Sequence, residues 1–347
     1  MPPPPAQPAA SRAQVIAVVS FYLVAALAMV MANKWVLNTT AAPLFFLMAQ
    51  LFIAVILFLI ADAMRILPDR LTFDLKTCKG LAPMVGLSCL GLSLSNYTLK
   101  YVDASFYQVA RGLVLPFTVC ASGIVLHTRP SLKILISCGI VTMGFFCGVF
   151  LDGTPLSLVG IGFGVASSTI TATHSVVIKK SLSVVNGSAI LLSWYTNLLS
   201  VFVLAPIVFL GEGGEVIKLI FNVDELVAAP GAMSPLRTFV VGSLITGGIG
   251  FAMSLASLLS IKVTSPITHM VSSAVRGVAA SLLGMWLFHD VVTSGRASSI
   301  AIILAGSFYY TWVKHQESEA PKADTGGSYE RVKMADLEGG QQKPLPE

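Results

Sequence analysis

Two arginines lie inside long apolar segments of this chain of 347 residues. Arg111 comes near the end of LKYVDASFYQVARG, and Arg276 comes near the end of IKVTSPITHMVSSAVRG. A guanidinium group stays charged at physiological pH and presents planar pairs of N–H donors that fit phosphate oxygens. The chemistry that these two residues predict is the binding of an anion, and most simply of a phosphorylated one.

The segments around both arginines are predicted to lie in a membrane. Hydrophobic residues make up 55% of the chain and charged residues only 11%, with a mean hydropathy of +0.80, whereas soluble domains average about 25% charged residues. The net charge of +5 is spread too thinly to indicate nucleic acid. The five cysteines form no CxxC pair, so we interpret them as small buried hydrophobic residues.

An all-α, polytopic membrane protein with ten transmembrane helices is the predicted fold. About 20 apolar residues are needed to cross the ~30 Å hydrocarbon core, and ten segments meet that length. They are residues 13–37, 42–63, 80–100, 104–126, 132–151, 156–178, 188–210, 237–260, 266–288 and 294–313.

The positions of lysine and arginine predict that both termini are cytosolic. With that orientation, fifteen of the 22 basic residues fall on the cytosolic side and four on the other. The N-terminus (residues 1–12) and the polar tail (residues 314–347) are predicted to be disordered and cytosolic. Asn38 begins a glycosylation sequon on the opposite side, but close to the membrane end of its span.

An inverted repeat is indicated by the two arginine-containing stretches. Each begins with a short link carrying a lysine, passes a hydroxyl and an aromatic ring, and reaches Val-Ala-Arg-Gly or Ala-Val-Arg-Gly. The first joins spans three and four, and the second joins spans eight and nine. We therefore predict two five-helix halves, residues 13–151 and 156–313, inserted in opposite orientations, as in many transporters with a site between the halves.

The charges inside the predicted spans point to that site. Lys34, Arg111 and Arg276 are the three cations within spans, whereas the acidic residue predicted within a span, Asp62, lies at its edge. From the helix rise, Arg111 is roughly 10 Å and Arg276 roughly 15 Å from opposite faces. Charges at such depths normally face a cavity, a partner or a pathway.

Structural alternatives exist for each of these cations. Lys34 is near enough to its helix end to reach the interface with its long side chain. Arg111 has an alternative role in bonding backbone carbonyls freed near Pro116, and Arg276 has one in packing. His174 is interpreted as a hydrogen-bonded core residue, whereas His269 and Tyr107 occupy similar places in the two halves.

The stretch WYTN, residues 194–197, places two aromatic rings and an amide in span seven. Aromatic rings stack on nucleobases and an Asn side chain hydrogen-bonds to their edges, although a polar contact between helices explains the motif equally well. The chain contains no HExxH or GxSxG motif and no paired carboxylates. We therefore predict a secondary transporter rather than an enzyme, without cofactor or metal.

These motifs resemble those of nucleotide-sugar transporters in the drug/metabolite transporter superfamily, the group that includes triose-phosphate translocators. The resemblance covers the ten spans and is strongest to GDP-fucose transporters. The stretches that carry it are MANKWVLN, LKYVDASFYQVARGL, SWYTN, IKVTSPITHMVSSAVRG and SFYYTWVK.

The resemblance implies further site residues. Trp194, Tyr195 and Asn197 match an FYNN-type motif that contacts the nucleotide in GDP-sugar transporters, with one of its two asparagines replaced. Ser254 and Ser257 match two serines that line the site in the GDP-mannose branch. In the GALNK-type motif of that branch a lysine contacts the substrate; Arg276 takes its place here, and His269 replaces a preceding tyrosine.

The function that the resemblance implies is transport of GDP-fucose from cytosol to Golgi lumen, by alternating access and in exchange for GMP. Arg276, Arg111, Tyr107 and Lys34 are then the expected polar contacts, together with the nucleotide and sugar contacts named above. The partners expected are the nucleotide sugar, the nucleoside monophosphate and the lipid bilayer, with no nucleic acid; a homodimer and residence in the ER membrane are alternatives left open.

Three other functions are open at this point. One is transport of GDP-mannose or another nucleotide sugar. Another is transport of a phosphorylated sugar or triose phosphate, which would favour two adjacent basic residues on span nine, whereas Gly277 follows Arg276. The third is an enzyme acting on lipid-linked sugars, which would need acidic groups at the membrane edge; Asp103, Asp152 and Asp290 occur singly.

Overall fold

The structure is a computed structural model that describes the backbone of residues 12–125, 127, 129–151, 157–221, 233–263 and 266–319. Within these ranges the side chains of residues 12–16, 179–180, 256–263, 266–275 and 318–319 are not described. All secondary structure elements in the described residues are α-helices. They are α1 (Arg12–Thr39), α2 (Pro43–Ala63), α3 (Leu75–Tyr101), α4 (Ala104–Gly112), α5 (Val114–Val125), α6 (Leu132–Phe150), α7 (Leu158–Val184), α8 (Ala189–Gly211), α9 (Gly213–Phe221), α10 (Pro235–Val263), α11 (Pro266–Phe288) and α12 (Ser294–Glu319).

Eight segments of the described chain are long and apolar enough to cross a membrane. They correspond to the first eight predicted spans, and α4 together with α5 forms one of them, Ala104–Val125. In α11 the described apolar part is the shorter stretch Arg276–Phe288. Helix α12 continues to Glu319, six residues beyond the predicted end of the last span. The expected all-helical polytopic membrane protein is confirmed at this level.

The helices begin where the sequence offers caps for free backbone N–H groups. Asp74 accepts hydrogen bonds from the backbone of Lys76 and Thr77 at the start of α3, and Pro43 lies in the first turn of α2. Hydroxyl groups cap three more helices in the same way. These are Ser131 before α6, Ser157 before α7 and Ser188 before α8.

The fourth span is interrupted just after Arg111. Helix α4 ends at Gly112. The N–H of Leu113 donates a hydrogen bond to the carbonyl of Ala110, three residues earlier, which makes this turn tighter than an α-helical turn. Pro116 follows in α5; its missing N–H cannot bond Gly112, so the regular helical ladder cannot continue through this point. The break places Arg111 in the last turn of a short helix.

Small residues allow the helices around the centre to approach closely. A Cβ on Gly164 of α7 would lie 2.9 Å from the Cβ of Ala110 on α4, a separation that only glycine permits. Large apolar side chains on the outer faces, such as Phe52, Phe146 and Phe209, are exposed, as expected where lipid replaces water.

Consecutive spans alternate in direction, which gives the bundle two ends. We call the end that carries the α1–α2, α3–α4 and α11–α12 junctions the α1–α2 end. The opposite end, which carries the α2–α3, α5–α6 and α7–α8 junctions, is the α2–α3 end. Helix α8 spans between them and packs on α2 and α3.

A buried carboxylate fixes α8 at the α1–α2 end. Glu212, only 6% exposed, follows α8 and accepts hydrogen bonds from the backbone N–H groups of Leu44 (3.0 Å) and Phe45 (2.9 Å). It also accepts one from the hydroxyl of Tyr97 on α3 at 3.1 Å. The negative charge lies at the N-terminus of α2, where the helix dipole and free N–H groups favour it.

Replacing this carboxylate is expected to destabilise the bundle. Glu212→Ala leaves the N–H groups of Leu44 and Phe45 without their acceptor in a buried setting, which costs about 1–3 kcal/mol. Thermal unfolding of the purified protein in detergent should show a lower midpoint. The control is Glu215→Ala, which removes an exposed pair with Lys218 and should change stability little. Equal midpoints for both variants would contradict the capping role.

Candidate functional site

A cavity of about 260 Å³ opens between α1, α2, α3, the α4–α5 span and α7. Its wall mixes apolar residues with many neutral polar ones and a single arginine, and no carboxylate occurs among the lining residues described. The polar lining residues are Asn33, Gln50, Ser88, Ser95, Asn96, Thr98, Tyr107, Arg111, Ser167, Ser168, Thr171 and His174. Such a wall suits a ligand that is negatively charged at one part and hydroxyl-rich or amide-like elsewhere.

Arg111 reaches the cavity from the last turn of α4. Its side chain is exposed to the cavity, and its Nη1 donates a hydrogen bond to the hydroxyl of Tyr107, one turn earlier, at 3.3 Å. The expected alternative, a bond from Arg111 to carbonyls freed near Pro116, is replaced by this contact in the described part of the chain. The guanidinium group therefore has donors available to a ligand.

Arg276 of α11 lies close enough to Arg111 for the two positive charges to interact, and Tyr107 is near it as well. Arg276 is partly buried. Two guanidinium groups held near each other repel in an apolar bundle, and a bound anion relieves that repulsion. The fold thus brings together three of the predicted site residues, Tyr107 and Arg111 from α4 and Arg276 from α11.

Lys34 has a different environment from the two arginines. Its ammonium donates hydrogen bonds to the carbonyls of Leu99 at 2.9 Å and Val102 at 2.6 Å. These carbonyls end α3, where the helix dipole favours a cation. The side chain is only 6% exposed. In this structure Lys34 therefore caps the C-terminus of α3 and does not line the cavity.

Trp194 and Tyr195 also lie away from the cavity. Trp194 Nε1 donates to the carbonyl of Thr72 at 3.1 Å, and the Tyr195 hydroxyl accepts from the backbone N–H of Asp74 at 3.0 Å. Both rings are buried, and Trp194 contacts Phe58 edge to face. In this structure the pair attaches α8 to the α2–α3 junction.

The remaining predicted residues are only partly described. Asn197 is half-buried on α8, outside the cavity lining. Ser254 is partly buried on α10, and its hydroxyl donates to the carbonyl of Gly250 at 3.0 Å. The side chains of Ser257 and His269 lie outside the described residues.

Several polar residues of the wall were not singled out from the sequence. Asn33, within MANKWVLN, and Gln50 hydrogen-bond to each other across α1 and α2 at 3.1 Å. Ser95 and Ser167 do the same across α3 and α7 at 2.7 Å. A search for amides and paired hydroxyls at the centre of apolar spans would have found them. His174 lines the cavity too, but its Nε2 has no hydrogen-bond partner in the described part of the protein.

An ion pair between Arg296 and the partly exposed Asp103 lies at the α1–α2 end. Arg296, near the start of α12, is 0% exposed, and its Nη1 donates to Asp103 at 2.9 Å. The same nitrogen donates to the Ser105 hydroxyl at 2.8 Å and the Val291 carbonyl at 2.9 Å. The guanidinium carbon also lies 6.0 Å from the centre of the Phe106 ring. Asp103 thereby links the α3–α4 junction to α12.

A second carboxylate strengthens this connection. Asp290, between α11 and α12, accepts a hydrogen bond from the backbone N–H of Ala104 at 2.9 Å, at the start of α4. Burial and the neighbouring carboxylate of Asp103 raise the pKa of Asp290. We call the contacts Asp103–Arg296 and Asp290–Ala104 the α3–α4 latch. Thr98 and Tyr107, on either side of the junction, line the cavity, so the latch lies at its α1–α2 end.

Comparison with known proteins agrees with this architecture. Residues 13–311 match the model of the Triose-phosphate Transporter family. The chain belongs to this family. Membership confirms the resemblance drawn from the motifs, and it makes the protein a membrane transporter rather than an enzyme.

Relatives in this family carry more specific names. A Drosophila melanogaster protein named "GDP-fucose transporter, Golgi" is 31% identical over 313 residues, covering 86% of this chain and 90% of the relative. "GDP-fucose transporter 1" of Monosiga brevicollis is 30% identical over 312 residues, covering 86% and 90%. "GDP-fucose transporter 1" of Mus musculus is 28% identical over 324 residues, covering 90% and 86%.

One solved structure, titled only as the crystal structure of a protein, has a similar fold. It matches 88% of this chain and 99% of its own with a TM-score of 0.50 and 15% sequence identity. This likeness concerns the fold alone.

Proposed function

We propose that this transporter carries GDP-fucose from the cytosol into the Golgi lumen in exchange for GMP. The observation that carries the proposal is the pair of neighbouring arginines beside a cavity whose described wall is otherwise uncharged and carries many polar side chains. The names of the relatives supply the nucleotide sugar and the organelle. GDP-mannose and triose phosphate remain the alternatives, and the experiments below separate them.

Ten spans in two inverted halves, residues 13–151 and 156–313, are part of this proposal. The packing partners support it, because exchanging the halves maps one set of helix contacts onto the other. The contacting pair α3–α7 corresponds to the contacting pair α10–α1, and the pair α2–α10 corresponds to the pair α8–α3. The contact of the α4–α5 span with α7 corresponds to the contact of α11 with α1. Each of the pairs α2–α8 and α6–α12 joins two helices that exchange places, so each pair corresponds to itself.

The proposed orientation places both termini in the cytosol, so the α1–α2 end faces the lumen. In that orientation Arg111 lies in the lumenal half of its span and Arg276 approaches it from the cytosolic side. We assign the diphosphate to these two arginines with the Tyr107 hydroxyl beside them, since phosphate oxygens accept from guanidinium and phenol donors.

The contacts to the rest of the ligand are assigned by position in the sequence. Asn197, Ser254, Ser257 and His269 are the proposed partners of the base, ribose or sugar. Trp194 and Tyr195 hydrogen-bond to the α2–α3 junction in this structure. Asn197 is therefore the residue of α8 that we assign to direct hydrogen bonding with the base. Lys34 would act on the ligand indirectly, by holding the end of α3.

Alternating access requires one end of the cavity to open while the other is closed. Helix α8 is bonded to α2 and α3 at both ends, through Glu212 at one and through Trp194 and Tyr195 at the other. It therefore does not account for alternate opening. The α3–α4 latch joins the junctions next to the two arginine-bearing helices, and we propose that it breaks when the site opens to the lumen.

The two arginines are expected to dominate ligand affinity. Arg111→Ala and Arg276→Ala should each weaken GDP binding about ten- to a hundredfold, because each removes charge-assisted hydrogen bonds to phosphate. Isothermal titration in detergent measures the change. Arg237→Ala, an exposed arginine at the α1–α2 end, is the matched control. Retained GDP affinity in both variants would contradict the assignment, and tighter binding of triose phosphate than of GDP-fucose would favour that alternative.

Exchange is testable with reconstituted protein. Proteoliposomes loaded with GMP should take up labelled GDP-fucose several times faster than empty ones, because two adjacent cations resist reorientation without an anion between them. GDP-mannose as a competing substrate tests the choice of sugar. Equal initial rates in loaded and empty vesicles would reject obligatory exchange.

If the α3–α4 latch closes the cavity, weakening it should open the cavity at the α1–α2 end. In a cysteine-free background carrying Ser95→Cys in the cavity, Asp103→Asn should speed labelling by an impermeant maleimide applied at the α1–α2 end. The reason is that it removes the charge that pairs with Arg296. Asp69→Asn, which alters the contact with Ser188 at the opposite end, is the control. Labelling no faster than in the control would contradict a gating role.

A further inference from the structure

The amide pair Asn33–Gln50 occupies a part of the cavity wall to which neither the motifs nor the family comparison assigns a role. Asn33 comes from α1 and Gln50 from α2, and both line the same cavity as Arg111 and Tyr107. Gln50 Nε2 donates to Asn33 Oδ1 at 3.1 Å. The pair is therefore a fixed element of the wall rather than two independent flexible side chains.

This hydrogen bond uses only part of what two amides offer. Each side-chain amide carries an acceptor oxygen and a donor NH₂ group. With the bond made from Gln50 to Asn33, the Asn33 NH₂ and the Gln50 oxygen remain, and no other side-chain hydrogen bond of the pair occurs in the described part of the chain. If both amides were turned over, one NH₂ and one oxygen would still remain. The pair thus offers a donor and an acceptor side by side in either orientation.

Their location makes this an effective recognition element. Gln50 is only 6% exposed, so water competes weakly for its hydrogen bonds, and a buried amide left without partners is costly. Neither residue is charged, so they do not add to the phosphate attraction of the arginines. They provide selection by hydrogen-bond pattern, which a purely electrostatic site lacks.

We propose that the Asn33–Gln50 pair binds the uncharged end of the nucleotide sugar through an adjacent donor and acceptor, while Arg111 and Arg276 hold the diphosphate. This inference rests on the proposed function and deepens it. The chemistry required of the ligand is a neighbouring acceptor and donor, as on the edge of a guanine or on two adjacent sugar hydroxyls. These two sources within one ligand are separated by the choice of probe.

The test compares volume-matched variants in the full-length protein. Asn33→Leu and Gln50→Met keep the approximate size of each side chain and remove its donors and acceptors. Gln108→Ala, an amide on α4 outside the cavity lining, is the control. Affinities for GDP-fucose, GMP and inorganic phosphate are measured by titration, together with the thermal unfolding midpoint of each variant.

Both cavity variants are expected to bind GDP-fucose roughly five- to tenfold more weakly than wild type, the usual effect of losing a neutral hydrogen bond, and to bind inorganic phosphate unchanged. An equal loss for GMP assigns the pair to the base, and a loss confined to GDP-fucose assigns it to the sugar. Unchanged affinity for both would overturn the inference. So would a parallel loss for phosphate with a lowered unfolding midpoint, since that pattern belongs to a structural role.

A different binding result would contradict the proposed function itself. If wild type bound neither GDP-fucose nor GMP but bound triose phosphate, the nucleotide-sugar assignment would be wrong. The same variants would then be titrated with triose phosphate, whose hydroxyl and carbonyl offer the same pattern. Affinity for it reduced by both variants would support the recognition role of the pair, and unchanged affinity would overturn it.

Discussion

Like charges held close together inside an apolar bundle are the constraint around which this protein is organised. Arg111 on α4 and Arg276 on α11 are far apart in the chain, yet lie near enough for their charges to interact. Such an arrangement is unfavourable by itself, since desolvation and repulsion act in the same direction. It becomes favourable when a multiply charged anion lies between the guanidinium groups. The proposed exchange would depend on this link between charge repulsion and ligand occupancy.

Other charges of the bundle serve to hold the helices. Glu212 lies at the N-terminus of α2 and Lys34 at the C-terminus of α3, positions where the helix dipole favours each sign. Arg296 is balanced by Asp103 at the α1–α2 end. These groups find their partners within the protein. Arg111 and Arg276 have another cation as a neighbour, and the proposed function assigns these two charges to the ligand.

The contacts that hold α8 differ in kind from those of the α3–α4 latch. Bonds at both ends of α8 attach it to α2 and α3, and the buried rings of Trp194 and Tyr195 enlarge that contact. By contrast, the α3–α4 latch consists of polar contacts between two short junctions. Polar contacts exchange more readily for water than packed aromatic rings do, and the Asp103 side chain is 42% exposed. In the proposed alternating access, the neutral wall of the cavity with its amide and hydroxyl pairs remains in place while the open end changes.

The membrane character, the eight candidate spans and the family were predictable from the sequence alone, because long apolar segments and short local motifs are properties of consecutive residues. Arg111 and Arg276 were predictable because a charge in an apolar run is conspicuous, and Tyr107 because its place resembles that of His269 in the other arginine-containing stretch. Pro116 signalled the break of the fourth span, although the boundary at Gly112 needed the structure. Which polar groups form hydrogen bonds with each other became clear from the folded arrangement of the helices. Lys34 hydrogen-bonds to the end of α3, Trp194 to the α2–α3 junction, and Asn33 to Gln50. The packing of the helices determines such partners, because they are far apart in the chain.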